Sequence, residues 1–157
     1  MILPASALRV LNFAKSLGLT VEIVEMPQST RTAEEAAQAC GCAVGQIVKS
    51  LVFRGKSSKR PYLLLVSGAN RVDQLGMAST IGEASDRPDA QFVRDATGYA
   101  IGGIPPFGLD TPLKTWIDRD LLTFPHVWAA AGTPNCVMKL DPQALKTATG
   151  AQEFIPS

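Results

Sequence analysis

The sequence holds one histidine, His126, and three cysteines, Cys40, Cys42 and Cys136. Three thiols cannot all pair internally. The Cys-Gly-Cys spacing is neither the C-x-x-C of a redox site nor a zinc-ligand pattern. With a single imidazole to offer, a Cys/His metal centre is not expected. The thiols read as small, mostly buried side chains of a reducing compartment. An excess of one charge is also missing: 15 basic and 14 acidic residues leave a net charge of +1. That argues against bulk electrostatic binding to nucleic acid and leaves room for a local basic patch. No apolar run approaches the ~20 residues needed to cross a bilayer. The basic-then-apolar start of an export signal is absent, so a cytoplasmic location is expected. The chain contains no internal repeat, no low-complexity segment and no long linker.

What is present is an ordinary globular composition, 46% apolar and 18% charged over 157 residues. That length suits a single domain spanning 1–157 with a real core. Val10, Phe13, Ala14 and Leu17 recur at helical spacing and predict a helix over 6–17 that ends at Gly18. Residues 20–26 alternate and predict a strand. Thr32 and Glu35 form a capping box ahead of an Ala33/Ala36/Ala37/Cys40 stripe that Gly41 terminates. Strands at 47–54 and 60–68, joined by the polar RGKSSKR, predict a hairpin. Asn70 is expected to cap a short helix reaching about Ser79. Pro88 suits the first turn of a helix that Gly98 ends. A strand starting at Tyr99 dissolves into a glycine–proline loop by 108. Strands at 113–118, 126–132 and 135–140 follow, and Asp141-Pro142 opens a last helix closed by Gly150. Without a regular βαβ rhythm, the expected class is α+β around a mixed, curved or closed sheet.

Two stretches are unusual, and each admits a structural and a functional reading. In the first, Lys49 interrupts an apolar strand. Period-2 alternation places it with Ile47, Leu51 and Phe53, opposite Val48, Ser50 and Val52. Both faces are apolar enough to be covered. A lysine there either snorkels its amine to water or aims it into a pocket, where it serves as a mobile point charge for a phosphate or carbonyl. The second is IGGIPPFG, residues 101–108. Its glycines free the backbone and its prolines stiffen it. Such a loop is either a tight connection or a rigid row of amides able to hold a developing oxyanion.

Taken in order, QIVKSLVFR, YLLLVSGANRVD, ATGYAIGGIPPFG and VWAAAGTPN resemble the YbaK/ProX family of aminoacyl-tRNA editing domains over roughly residues 20–150. The resemblance implies an α+β domain with a mixed, barrel-like sheet and surrounding helices. It implies hydrolysis of the ester that joins a wrong amino acid to a tRNA, usually the tRNA for proline. With no room for a synthetase domain, the chain is expected to act in trans, as a hydrolase that needs no cofactor. Aminoacyl-tRNA is the expected partner, with prolyl-tRNA synthetase a second. The family's strand lysine falls on Lys49. Its loop glycine and proline fall on Gly102 and Pro106, with Gly103, Ile104 and Pro105 between. Two positions depart from the family pattern. AAGTPNCV offers Ala130, Ala131 and Val137 where thiol-assisted Cys-tRNA deacylases carry polar and acidic groups. Leu109 replaces a polar residue after the loop's last glycine.

An aminoacyl ester is already activated, which agrees with the absence of a Ser-x-Gly elbow or a convincing triad. His126 reads as structural. Lys49 and the amides of Gly102 and Gly103 are the expected catalytic groups. Ile47, Ser50, Thr30, Ile104, Pro105, Pro106 and Phe107 are the expected substrate pocket, sized for a small side chain such as Ala, Ser or Cys. Arg54, Lys56, Lys59 and Arg60 are the expected contacts to tRNA phosphates. The competing reading is a module of the same fold that binds aminoacyl-tRNA or another nucleic acid without turnover.

Overall fold

The computed structural model describes residues 2–157, and its framework follows from the longest apolar strands. Strand β2 (Ile47–Gly55) pairs antiparallel with β3 (Pro61–Ser67), matching Leu51 with Leu64 and Phe53 with Tyr62. This hairpin occupies the middle of an eight-stranded sheet. The other strands are β1 (Glu22–Glu25), β4 (Ser85–Asp86), β5 (Lys114–Asp118), β6 (Val127–Ala130), β7 (Cys136–Leu140) and β8 (Gln152–Phe154), in the order β1-β7-β6-β2-β3-β5-β8. Strand β4 pairs with the far end of β2. Parallel pairing at β2/β6, β3/β5 and β5/β8 makes the sheet mixed, as expected. The sheet is open, with β1 and β8 at its two edges.

The helices are α1 (Ala5–Ser16), α2 (Ala33–Cys40), α3 (Met77–Ile81), α4 (Ala90–Thr97) and α5 (Pro142–Thr149). The capping box of α2 forms as the sequence predicts: the Thr32 hydroxyl accepts from the Glu35 N–H, and Glu35 accepts from the Thr32 N–H. Gly41 then closes the helix in the left-handed region at φ 67°. Alternation along β2 is also realised. Val48 and Val52 enter the main core with Leu63, Leu65, Ile104 and Ile117, while Leu51 and Phe53 join Leu64, Val66 and Trp116 on the opposite face.

Three expectations are corrected. Residues 99–103 form turns rather than the start of a strand, because the Gly103 N–H bonds back to the Ala100 carbonyl at 3.0 Å. Asn70 caps no helix. Its side-chain amide reaches the carboxylates of Asp118 and Asp120, both at 2.8 Å, and α3 begins only at Met77. Pro88 precedes α4 rather than opening it, since Asp89 is the N-cap and accepts from the Phe92 N–H. The edge strand β8 has too short and too polar a sequence to signal itself.

Candidate functional site

The site lies where the sheet parts. Strand β6 pairs with β2 only at Ile47 and Val48, and β4 takes up pairing again at Arg54 and Gly55. Between them one edge of β2 is unpaired. Ile47 and Gly55 carry backbone bonds to the β3 side, at Gly68 and Arg60. By the alternation of an antiparallel ladder, the N–H and C=O groups of Ser50 and Val52 therefore face the gap. A cavity of about 230 Å³ opens there. Ala33 and Ala36 of α2, Ile47, Trp128, Ala130 and Val137 supply much of its apolar wall. Gly68 sets how closely α2 approaches: a Cβ there would lie 2.4 Å from the Val44 carbonyl oxygen and 2.9 Å from the Ala33 side chain.

Lys49 lines this cavity, half-buried, and its ammonium donates to the Asn70 carbonyl. Burial pushes its pKa below the ordinary lysine value. Glu34 works against that shift, and Arg71 adds to it. No carboxylate forms an ion pair with Lys49 among the described residues. Asn70 is itself fixed by the fully buried Asp118, which also accepts from the Ser67 N–H at 3.0 Å. A chain of bonds thus runs from the core carboxylate through Asn70 to the amine. One N–H of the ammonium is engaged, and its other donors are free for a ligand.

Gly102 and Ile104 line the same cavity. Gly102 has φ 96° and touches the Arg31 stem, where a Cβ would come within 3.0 Å of Cγ. The Gly103 carbonyl accepts from the Gly132 N–H at 2.9 Å, so the loop is pinned to the β6–β7 turn. The Gly103 N–H is spent on Ala100, which corrects its expected role as an oxyanion donor. Among the described residues, the N–H groups of Gly102 and Ile104 have no protein partner.

Of the expected pocket residues, Ile47, Ser50, Thr30 and Ile104 line the cavity. Thr30 spends its hydroxyl proton on the Pro134 carbonyl at 2.7 Å. Ser50 Oγ is buried and has no hydrogen-bond partner among the described residues. Pro105, Pro106 and Phe107 are buried elsewhere. Pro106 and Phe107 border a separate depression with Phe13 and Leu109, so the second half of the loop holds the fold and the first half faces the cavity. The apolar Leu109 consequently deprives this cavity of nothing. Arg54 is also corrected: it ion-pairs with Asp86 at 3.4 Å and lies over the Phe92 ring at 5.2 Å, so it is not a free tRNA contact. Lys56, Lys59 and Arg60 are exposed on the hairpin tip. Sequence reasoning missed Arg31 and the alanines of α2 as lining residues. The capping box had placed them at a helix start, but not beside Lys49.

Among the described residues, neither His126 nor any of the three cysteines lines this cavity. Among the described residues no group of His, Cys, Asp and Glu side chains is arranged to hold a metal ion. Burial pushes the Cys40 thiol up to about 11, away from the reactive thiolate form. His126 is exposed, and its carbonyl accepts from the Gln46 side chain at 3.1 Å. No helix among the described residues is long and apolar enough to cross a membrane.

Comparison with known proteins bears on the same region. The family model for the aminoacyl-tRNA editing domain matches residues 27–148. The uncharacterized protein YwhH of Bacillus subtilis (strain 168) is 32% identical over 124 residues, covering 79% of this chain and 78% of YwhH. A crystal structure described as a candidate trans-editing enzyme for prolyl-tRNA synthetase is 49% identical and superposes with a TM-score of 0.91, covering 98% of each chain. A scaffold protein used for computational epitope grafting is 45% identical, with a TM-score of 0.91 over 99% of this chain and 98% of its own. The match spans the strand of Lys49, the loop of Gly102 and the parted sheet between them, and the chain belongs to the aminoacyl-tRNA editing domain family.

Proposed function

We propose that the protein is a trans-acting deacylase that hydrolyses the ester of a mischarged aminoacyl-tRNA, with tRNA for proline carrying Ala, Ser or Cys as its substrate. The observation that carries this reading is that one small cavity is lined both by Lys49, whose ammonium lacks a carboxylate partner among the described residues, and by Gly102 and Ile104, whose backbone amides are unengaged. The Gly102 and Ile104 N–H groups receive the ester carbonyl and the negative charge that develops on it. Fixed donors of this kind need no reorganisation during the reaction. Lys49, steadied by the Asn70 carbonyl, adds positive charge to the same oxygen. A water molecule attacks the carbonyl carbon and the carbon–ribose oxygen bond breaks. The water's proton passes to the departing ribose oxygen, leaving a free amino acid and an uncharged tRNA.

The size of the acyl group follows from the walls. The cavity of about 230 Å³ is lined by Ile47, Trp128 and Val137, an apolar wall that suits a small aliphatic or weakly polar side chain. A pocket of this type separates side chains differing by one methylene by only about 10–200-fold, so small acyl groups should compete. The description of the 49%-identical structure supports the link to prolyl-tRNA synthetase.

The test is a deacylation panel on proline tRNA charged with Ala, Ser, Cys or Thr, using the wild type and Lys49→Ala. The wild type is expected to release at least one of the small residues. Lys49→Ala is expected to slow release about 10²–10³-fold, the usual cost of losing one stabiliser of a developing oxyanion. Tight binding of charged tRNA with no turnover would favour the non-catalytic module instead.

A further inference from the structure

Among the described residues, Lys59 is the one non-glycine residue with a positive φ, at 62°. It closes the loop of residues 56–59, which is bounded by the Gly55 N–H to Arg60 carbonyl bond of 2.9 Å. The chain passes through the left-handed region there before entering β3. Glycine or asparagine fills such a position with least strain, and a lysine Cβ crowds the backbone. The turn by itself gives no reason for lysine. Strain of this kind is kept at functional sites, which directs attention to the lysine side chain.

The tip is also braced. The Glu83 carboxylate accepts from the Ser57 and Ser58 N–H groups, both at 3.0 Å, from the Ser58 hydroxyl at 2.6 Å and from the Tyr62 hydroxyl at 2.7 Å. Gly55 leaves the space: a Cβ there would lie 2.4 Å from the Glu83 carboxyl carbon. The Lys56 N–H bonds to the Ala84 carbonyl at 2.8 Å. The Glu83 carboxylate is thus used on hydroxyls and amides. Lys56, Lys59 and Arg60 remain exposed and join no ion pair among the described residues. A merely solvated tip has no need of so many tethers. Strand β2 carries the chain straight from Val52 at the cavity to Lys56 at the tip, about 13 Å at the usual rise of a strand. That separation is short enough for RNA whose 3′ end enters the cavity to reach the tip.

We propose that Lys59 contacts backbone phosphates of the RNA upstream of the esterified nucleotide, with the strained turn and the Glu83 brace fixing where its side chain leaves the backbone. This rests on reading the cavity as an aminoacyl-tRNA site. Because phosphate contacts carry no sequence information, the residue sets affinity and register rather than the choice of tRNA.

The test uses a fluorescein-labelled, uncharged acceptor-stem minihelix and anisotropy titrations at several salt concentrations, alongside thermal melts. Lys59→Asn and Lys59→Gly both fit the left-handed position and both remove the charge. Each is expected to weaken binding about tenfold and to reduce the slope of log K against log salt by about 1. Their melting temperatures should equal or exceed that of the wild type. Lys59→Arg should keep its affinity, and Lys15→Gln, on α1, should bind as the wild type does. Unchanged affinity and slope in Lys59→Asn and Lys59→Gly would overturn this inference while wild-type binding stands. So would an equal loss in Lys15→Gln. A wild type that binds no minihelix would remove the aminoacyl-tRNA reading together with it.

Discussion

Lys49 and Arg54 sit five residues apart on the same strand, each a cation among apolar neighbours, and the fold treats them differently. Arg54 is neutralised by Asp86 and laid over Phe92 where β4 covers the sheet edge. Lys49 stands at the uncovered part of that edge, held by a neutral carbonyl and facing a cavity. A cation with a carboxylate partner is part of the structure, because its field is already spent. One positioned by a neutral dipole keeps its field for a ligand. The sequence QIVKSLVFR marks Lys49 as the odd residue of an apolar strand but does not show that Arg54 has a carboxylate partner.

The most severe way to probe this difference, after removing Lys49 itself, is to loosen what positions it. Asn70→Ala leaves the carbonyl that Lys49 uses but cuts the side-chain bonds to Asp118 and Asp120. Losing a donor from the buried carboxylate should cost about 1.5–3 kcal/mol in urea unfolding. With its anchor free to drift, the kcat for deacylation should fall about tenfold while KM stays near its wild-type value, a split that distinguishes positioning from binding. An unchanged kcat in the folded variant would mean that the amine needs no fixing.

Arg54→Met sharpens the comparison from the other side. The pair with Asp86 is about one-third exposed, so its loss should cost only about 1 kcal/mol. Deacylation per folded molecule should not change. A large drop in kcat would show that both cations of β2 serve the substrate.

The smallest effect concerns the hairpin tip. The Ser58 hydroxyl and amide, joined by the Tyr62 hydroxyl, hold the Glu83 carboxyl down to about 2, against an ordinary 4.5. A carboxylate depressed on folding stabilises the native state above its unfolded pKa, and the benefit is lost as pH falls toward the folded value. Glu83→Gln should therefore melt lower than the wild type at neutral pH. The two curves should converge between about pH 4.5 and 2. A gap in melting temperature that persists at pH 2 would place the contribution of Glu83 in something other than its charge.

Local chemistry was legible wherever one short stretch decides the outcome. The Thr32–Glu35 box, the glycine ends of α2, α4 and α5, and the central hairpin all follow from neighbouring residues. Two of the misreadings share a cause. Asn70 has the side chain of a helix cap, but carboxylates 48 and 50 residues away outbid a local backbone amide for it. Residues 101–108 look like one rigid unit. The Gly103 bonds to Ala100 and Gly132 orient the front half toward the cavity, while packing against Phe13 claims the rear half.

By itself, the sequence determined the α+β class, the helix ends, the central hairpin and the presence of two features out of keeping with a plain core, because alternation, capping and turn propensity act over a few residues. Tertiary structure decided that the sheet parts beside Lys49 and that Arg54 is neutralised while Lys49 is not. It also decided that the Gly103 amide turns back on Ala100 while the Gly102 and Ile104 amides stay unengaged among the described residues. Those outcomes depend on where β4, β6 and the β6–β7 turn come to rest against β2 and the loop, and partners that far apart in the chain leave no periodic signal in either segment.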